Sequence, residues 1–157
     1  MNPVLLPDAE WFDLAAPADG SRWRIFLSRP RSAAPAAGWP AVFQLDANAG
    51  FMTFVETMRR AAVRPAATGV SEAVIVGIGY PGGEDFRARR SFDYTAGPCR
   101  EAGGEGRPEA ARPVGGRDAF LAFLDTVLKP EIARRLPVDP VRRRCSAIRW
   151  PAGSPST

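Results

Sequence analysis

Gly38-Trp39-Pro40-Ala41-Val42-Phe43-Gln44-Leu45-Asp46-Ala47-Asn48-Ala49-Gly50-Phe51 passes from one hydrophobic periodicity to another within a few residues. Ala41–Leu45 is a short, almost unbroken apolar run, as expected of a strand buried on both faces. From Phe51 onward, Phe51, Phe54, Val55, Met58 and Ala62 fall on one stripe of a helix, and Pro65 follows as the stop. Ala73-Val74-Ile75-Val76-Gly77-Ile78 then repeats the buried-strand pattern. Strand, helix and strand in this order predict a parallel, right-handed βαβ unit.

Upstream, the alternation is that of half-buried strands. In Arg22-Trp23-Arg24-Ile25-Phe26-Leu27, Trp23, Ile25 and Leu27 share one face while Arg22 and Arg24 take the other. Glu10–Leu14 is a shorter strand candidate, with Asp19-Gly20 as the turn between the two. Residues 30–40, punctuated by Pro30, Pro35, Gly38 and Pro40, predict a loop. Downstream, residues 97–117 are rich in Gly and Pro and poor in apolar side chains, which predicts a mobile loop. A second helix is expected from Phe120, Leu124, Val127, Leu128 and Ile132. Pro130 must kink or restart it, because proline lacks an N–H and its ring clashes with the preceding turn. Another buried strand should begin after Asp139-Pro140, but Arg142-Arg143-Arg144-Cys145-Ser146-Ala147-Ile148-Arg149-Trp150 breaks the apolar pattern.

Length and composition exclude several function classes. A chain of 157 residues predicts one domain. Hydrophobic residues make up 45% and charged residues 24%, which excludes a disordered chain. No apolar run reaches the roughly 18 residues that a membrane span needs. The N-terminal stretch carries no Lys or Arg, so no secretory signal is expected and the expected location is cytoplasmic. The formal charge of +4 comes entirely from Arg142, Arg143, Arg144 and Arg149, so a neutral body carries a basic tail. That is not the basic face of a nucleic-acid-binding fold, and no nucleic-acid partner is expected. The chain contains no histidine, which excludes Ser-His and Cys-His catalysis and histidine metal ligation within these residues. Cys99 and Cys145 are too few and too isolated for a zinc site or a disulfide framework. No metal and no cofactor is expected.

Three motifs bear on function. Gly77-Ile78-Gly79-Tyr80-Pro81-Gly82 formally matches G-x-G-x-x-G, but Pro81 interrupts it and no amphipathic helix opens behind it. It reads as a strand leaving its sheet through a Gly-rich turn rather than a dinucleotide site. Leu45–Phe51 sits where a buried strand hands over to a helix, and there the loop N–H groups and the helix N-terminus suit an anion or a developing oxyanion. The alternative is that Asn48 only caps the helix. Arg87-Ala88-Arg89-Arg90-Ser91-Phe92-Asp93-Tyr94-Thr95 lies beyond the carboxyl end of the next strand, where open α/β sheets place ligands. Its arginines could hold an acidic or catecholate substrate through bidentate contacts, or form a solvated loop.

Taken together and in order, these segments resemble the front part of an α/β hydrolase of the siderophore esterase family, the enterobactin and salmochelin trilactone hydrolases. The matching residues are Arg24–Leu27, Gly38-Trp39-Pro40, Val42–Ala49, Val76–Tyr80, Arg89–Thr95, and the Phe120–Leu136 helix with Val138–Arg143 behind it. The resemblance covers residues 9–143 and implies an incomplete α/β-hydrolase fold, with antiparallel N-terminal strands joined to a parallel βαβ sheet. It further implies that the backbone around Ala47 and Asn48 contributes an oxyanion hole. Asn48, Arg89 and Arg90 are then expected to contact the substrate, a small-molecule ester or ferric siderophore. Ala47 departs from the glycine usual in the family.

The larger departure follows Arg143. The family's next strand ends in Gly-x-Ser-x-Gly, the turn that presents the nucleophile, with the acid and histidine later still. None of these is in this chain, so no catalytic residue is assigned. Back-translation of Arg144-Cys145-Ser146-Ala147-Ile148-Arg149-Trp150-Pro151-Ala152 with GC-favouring codons gives CGC TGT TCG GCC ATT CGC TGG CCG GCG. Read from the third base, it becomes Leu-Phe-Gly-His-Ser-Leu-Ala-Gly, the expected elbow in the expected place. The expectation is a one-base loss near codon 144, with residues 1–143 the hydrolase portion and 144–157 an out-of-frame or disordered tail. The 41–46 strand should then have an unpaired outer edge, or one covered by Cys145–Trp150, and an open apolar edge is an aggregation template. The leading expectation is an esterase portion inactive by itself. The alternative is a non-catalytic binding module for an anionic or catecholate ligand. Oligomeric state is left open by the sequence.

Overall fold

The computed structural model describes residues 5–82, 86–97 and 114–146, apart from the side chains of 86–88 and 144–146. The chain divides into two compact units. The first comprises residues up to 14, 23–79 and those from 137 on; the second comprises 15–22 and 80–136.

The first unit is built on a five-stranded sheet. Its strands are β1 (Ala9–Ala15), β2 (Arg22–Ser28), β3 (Trp39–Gln44), β4 (Val74–Gly79) and β5 (Val138–Ser146), in the spatial order β1-β2-β4-β3-β5. β2 runs antiparallel to β4, with Arg24 opposite Gly79 and Ser28 opposite Ile75. β3 is parallel to β4, with Ala41 opposite Val74 and Gln44 opposite Gly77. Between β3 and β4 the chain forms α1 (Ala47–Ala62), as the sequence period requires. The α1 side of the sheet is filled by Ala47, Phe51, Val55 and Ile75, with Phe26, Val42, Phe54 and Met58 around them. Trp23, Ile25 and Leu27 are all buried, as their alternation predicts. On the opposite face of β2, Arg24 Nε donates to Asp13 Oδ1 at 2.9 Å and its guanidinium lies 4.0 Å from the Trp11 ring centroid, which ties β1 to β2.

The open outer edge expected for the 41–46 strand does not occur. β5 covers it, running parallel to β3 with Ala41 opposite Arg143 and Gln44 opposite Ser146. The covering strand begins at Val138, well before the expected Cys145–Trp150. Arginines do not forbid a strand, because ladder hydrogen bonds are made by the backbone whatever the side chains. Gly38 anchors its start. At φ 86° it takes a conformation that suits glycine, and a Cβ there would lie 2.7 Å from the Val138 carbonyl carbon and 2.8 Å from the Asp139 nitrogen. Trp39 N–H donates to Pro137 O at 2.8 Å across the same approach. The register then shifts between Trp39 and Ala41, where Asp139 Oδ1 accepts the N–H groups of Val141 (2.8 Å) and Arg142 (3.2 Å). Residues 147–157 of the expected tail lie outside the described residues, whereas 144–146 finish β5.

The second unit carries α3 (Phe86–Tyr94), α4 (Arg117–Phe123) and α5 (Lys129–Arg135). Leu124–Leu128 joins α4 to α5 as a π-helical turn, in which Lys129 N–H donates to Leu124 O. This is the restart expected at Pro130. Widening the turn by one residue relieves the ring's clash and absorbs the missing N–H without ending the helix. Phe120, Phe123, Leu128 and Ile132 form its buried stripe. Pro65, expected as a stop, opens the short α2 (Pro65–Thr68). Of the loop expected over 97–117, residues 98–113 lie outside the described residues, and Arg117 already belongs to α4.

Candidate functional site

The carboxyl ends of β3 and β4 and the first turn of α1 form the candidate site of the first unit. After Gln44 the chain reverses through Asp46, a non-glycine residue at φ 58°, and enters α1 at Ala47. Asp46, not Asn48, is the N-cap residue, so capping by Asn48 is corrected: Asn48 already lies within the first helical turn. Asp46 makes no side-chain cap hydrogen bond and the first turn holds no acidic residue, so Asp46 places its carboxylate beside the helix start without closing off the first-turn N–H groups through a cap bond. The arrangement favours negative charge in front of Ala47 and Asn48.

The paired glycines of β4 explain how α1 comes so close to the sheet. A Cβ on Gly77 would lie 2.7 Å from Ala47 Cβ and 2.6 Å from Phe51 Cδ2. A Cβ on Gly79 would lie 2.3 Å from Asn48 Oδ1. Gly77 therefore leaves the space that the Ala47 methyl fills, and Asn48 lays its carboxamide over Gly79. The G-x-G of the sequence is a packing device for the helix start, consistent with the reading against a dinucleotide fingerprint. Gln44, buried at the end of β3, was not singled out by the sequence reasoning. Its Oε1 meets no hydrogen-bond partner among the described residues, and its Nε2 reaches to 3.0 Å from a Cβ placed on Gly50. A lone amide inside the apolar run Ala41–Leu45 was the available signal.

Arg89 and Arg90 belong to the second unit and stand on α3, not on the solvated loop weighed for this segment. Arg89 and Asp93, and Arg90 and Tyr94, stand four residues apart on α3, so side-chain pairs one turn apart form. Arg89 Nε lies 3.2 Å from Asp93 Oδ1 and 3.3 Å from Oδ2, and Asp93 is only 2% exposed. The Arg90 guanidinium lies 5.4 Å from the Tyr94 ring centroid, a cation–π distance. Tyr94 in turn packs against Phe120 at 5.4 Å between ring centroids. Tyr80 is buried beside Asp93 and Tyr94. Burial, and then those two neighbours, push its phenol above the ordinary range, so it stays protonated. Asp93, Tyr94 and Tyr80 are thus the supports that residue-by-residue reading of the arginines missed. Among the described residues no group of three or more Asp, Glu, His or Cys gathers to hold a metal. No helix there is long and apolar enough to cross a membrane. Cys99 lies outside the described residues.

No protein-family profile matches the chain. Individual proteins do. The chain is 36% identical over 144 residues to the ferri-bacillibactin esterase BesA of Bacillus subtilis, covering 90% of this chain and 50% of that protein. It is 40% identical over 98 residues to a siderophore enterobactin esterase of Emericella nidulans, covering 57% of this chain and 30% of the relative. The crystal structure of the BES protein from Bacillus cereus superimposes with a TM-score of 0.82 at 30% identity, over 92% of this chain and 55% of that one. Over most of its length this chain is homologous to siderophore esterases. It spans half or less of the length of the two esterases, so it shares a part of the siderophore esterase fold rather than its whole extent. The mixed five-stranded sheet with its helices is that part of the α/β-hydrolase architecture, and the fold class expected from the sequence holds.

Proposed function

We propose that this chain is the oxyanion-hole and substrate-holding portion of a siderophore esterase, and that these 157 residues turn over no ester by themselves. The observation that carries the reading is the start of α1, where the first turn at Ala47 and Asn48, with no side-chain cap hydrogen bond from Asp46, lies over Gly77 and Gly79. In ester hydrolysis the carbonyl oxygen gains negative charge as the tetrahedral intermediate forms. Donors already fixed in place stabilise that charge without reorganising. In this reading the first-turn backbone at Ala47 and Asn48 faces the oxyanion, and the Asn48 carboxamide orients the ester. Arg89 and Arg90 hold the acidic or catecholate periphery of a siderophore, with Asp93 and Tyr94 fixing their direction.

What is missing is the proton transfer. No histidine is present to take a serine proton, and a serine without its base is a poor nucleophile. We read residues 144–157 as out-of-frame translation. In support, the alternative frame places Gly-His-Ser immediately after Ser146, the last described residue of β5. The test is hydrolysis of aryl acetate and of ferric enterobactin by the purified chain. The expected result is no turnover above that of a protein lacking the site. Turnover that survives purification would overturn the reading. The second reading, a binding module, draws on the buried Asp93 support of Arg89. Micromolar equilibrium binding of a catecholate by the isolated chain, without turnover, would favour it.

A further inference from the structure

A cavity of about 230 Å³ lies towards the far end of α1 from the candidate site, bounded by the end of β2, the start of β4 and the second half of α1, all within the first unit. The 16 residues of α1, at 1.5 Å each, span about 24 Å, and the cavity uses only positions from Val55 onward. Its wall is apolar where the buried Val55 and Ile75 meet Met58 and Ala62. Its charged lining is Arg29, Arg31 and Arg59 against Glu72. Most of these groups are already engaged. Arg59 donates to Glu56 Oε1 at 3.0 Å, to Pro7 O at 2.6 Å and to Ser28 Oγ at 3.1 Å. Arg31 Nε donates to Asp8 Oδ2 at 2.8 Å, and Glu72 accepts the Ser32 hydroxyl. Arg29 differs: its guanidinium has no hydrogen-bond or ion-pair partner among the described residues. Ser28, only 2% exposed, accepts from Arg59, and its own proton meets no acceptor among the described residues. A buried donor without an acceptor costs stability. The preference of the cluster is visible at Asp8, whose carboxyl is held below the ordinary range by its hydrogen bond with Arg31 and by the charges of Arg31, Arg59 and Arg29. An acceptor-only group thus suits Arg29 and Ser28, and a carboxylate matches the guanidinium fork. Inorganic phosphate would meet the arginines but leave the apolar wall wet. The volume falls below the roughly 300–1,000 Å³ of pockets for drug-sized ligands, so the fitting molecule is smaller.

We propose that this cavity is a second binding site, remote from the start of α1, for a small monocarboxylate with an apolar chain or ring. The carboxylate pairs with Arg29 and takes the Ser28 proton, while the apolar body covers Val55, Met58 and Ile75. None of these residues belongs to the candidate site, so the proposal does not rest on the esterase reading. The experiment titrates hexanoate and benzoate into the isotopically labelled 157-residue chain and follows the backbone amide shifts, with hexanol as the neutral probe. Expected is saturable one-to-one binding of at least one acid below about 1 mM, with shifts confined to residues 28–31, 55–63 and 71–75. Hexanol should bind at least tenfold more weakly. Arg29→Glu should weaken the acid at least tenfold, because a like charge replaces the pairing guanidinium. Arg29 is exposed, so that variant keeps the wild-type Tm and the loss is read as binding rather than unfolding. Arg60→Glu makes the same charge change on α1 outside the cavity lining and should leave binding within twofold. Ala62→Phe fills the apolar part and should abolish binding. Three results would overturn the proposal. One is no saturable binding of either acid by the folded chain. Another is shifts at residues 46–50 instead, which would place the acid at the helix start. The third is an equal loss for Arg60→Glu and Arg29→Glu, which would reduce the effect to net charge. Ester turnover plays no part in this titration, so its failure leaves the esterase reading standing.

Discussion

Replacing Gly77 by alanine tests the packing that brings α1 onto the sheet. The added methyl would lie 2.6 Å from Phe51 Cδ2, 2.7 Å from Ala47 Cβ and 3.2 Å from Phe26 Cβ. Carbon pairs are most favourable at about 3.5–4.0 Å, so two contacts overlap by about 1 Å. Phe51 cannot swing clear, because the Phe26 ring stands 5.3 Å away, centroid to centroid. Overpacking of this kind costs about 1–3 kcal/mol. Removing a glycine from a strand returns about 0.5–1 kcal/mol, which leaves a net loss of roughly 1–2 kcal/mol. For a domain of this size that is a fall in Tm of roughly 2–8 °C. The assay is a double-mutant cycle of thermal melts. Ala47→Gly alone should also destabilise, by about 1 kcal/mol, through its cost in the helix. Combined with Gly77→Ala it removes one of the two clashing atoms, so the pair should lose less than the sum by at least about 0.5 kcal/mol. Simple additivity, or a Gly77→Ala protein as stable as wild type, would refute the packing argument.

Other perturbations probe the second unit and the frame. Asp93→Asn leaves the partly exposed Arg89 guanidinium without its buried carboxylate, and a loss of about 1–3 kcal/mol in urea unfolding is expected. Glu131 accepts hydrogen bonds from Arg134 and Arg135, which hold its carboxyl down to about 2 from the ordinary 4.5. Its contribution to stability is therefore complete above about pH 4.5 and is lost as pH falls towards 2. Glu131→Gln should flatten stability against pH in that window, and by no more than about 1 kcal/mol, because the arginines are partly exposed. Inserting one base at the Arg144 codon should reopen the frame into Gly-His-Ser-Leu-Ala-Gly. The longer product should then hydrolyse aryl esters, and lose that activity when its elbow serine becomes alanine. A gene whose alternative frame holds no such elbow would end the frameshift reading.

Much of the sheet was legible because burial imposes periodicity. Trp23, Ile25 and Leu27 alternate because β2 has one inward face, and 41–45 and 73–78 run apolar because β3 and β4 are covered on both. The stripe from Phe51 to Ala62 gave α1 for the same reason. β5 was not legible, since its pairing with β3 depends on backbone groups and on the bare Gly38, neither of which leaves a hydrophobic signature. The Arg-rich α3 was obscured because its stabilising pairs are ionic, Arg89 with Asp93, rather than apolar. At the candidate site, the helix-start chemistry could be read from Leu45–Phe51. The exchange of bulk between Ala47 and Gly77 could not, because it depends on two residues far apart in sequence meeting in space.

The position of β3 between β4 and β5 also sets an order of events on the ribosome. β4 follows β3 closely in the chain and can pair with it as soon as both have emerged. β5 comes about 60 residues after β4 has ended. At about 5–20 residues per second, one flank of Trp39–Gln44 waits roughly 3–12 s for its second neighbour. During that interval Trp39, Ala41 and Phe43, all buried in the finished sheet, lie along an open strand edge that another nascent chain could join. The hazard in making this protein thus belongs to elongation, and slower translation between codons 80 and 138 would lengthen it.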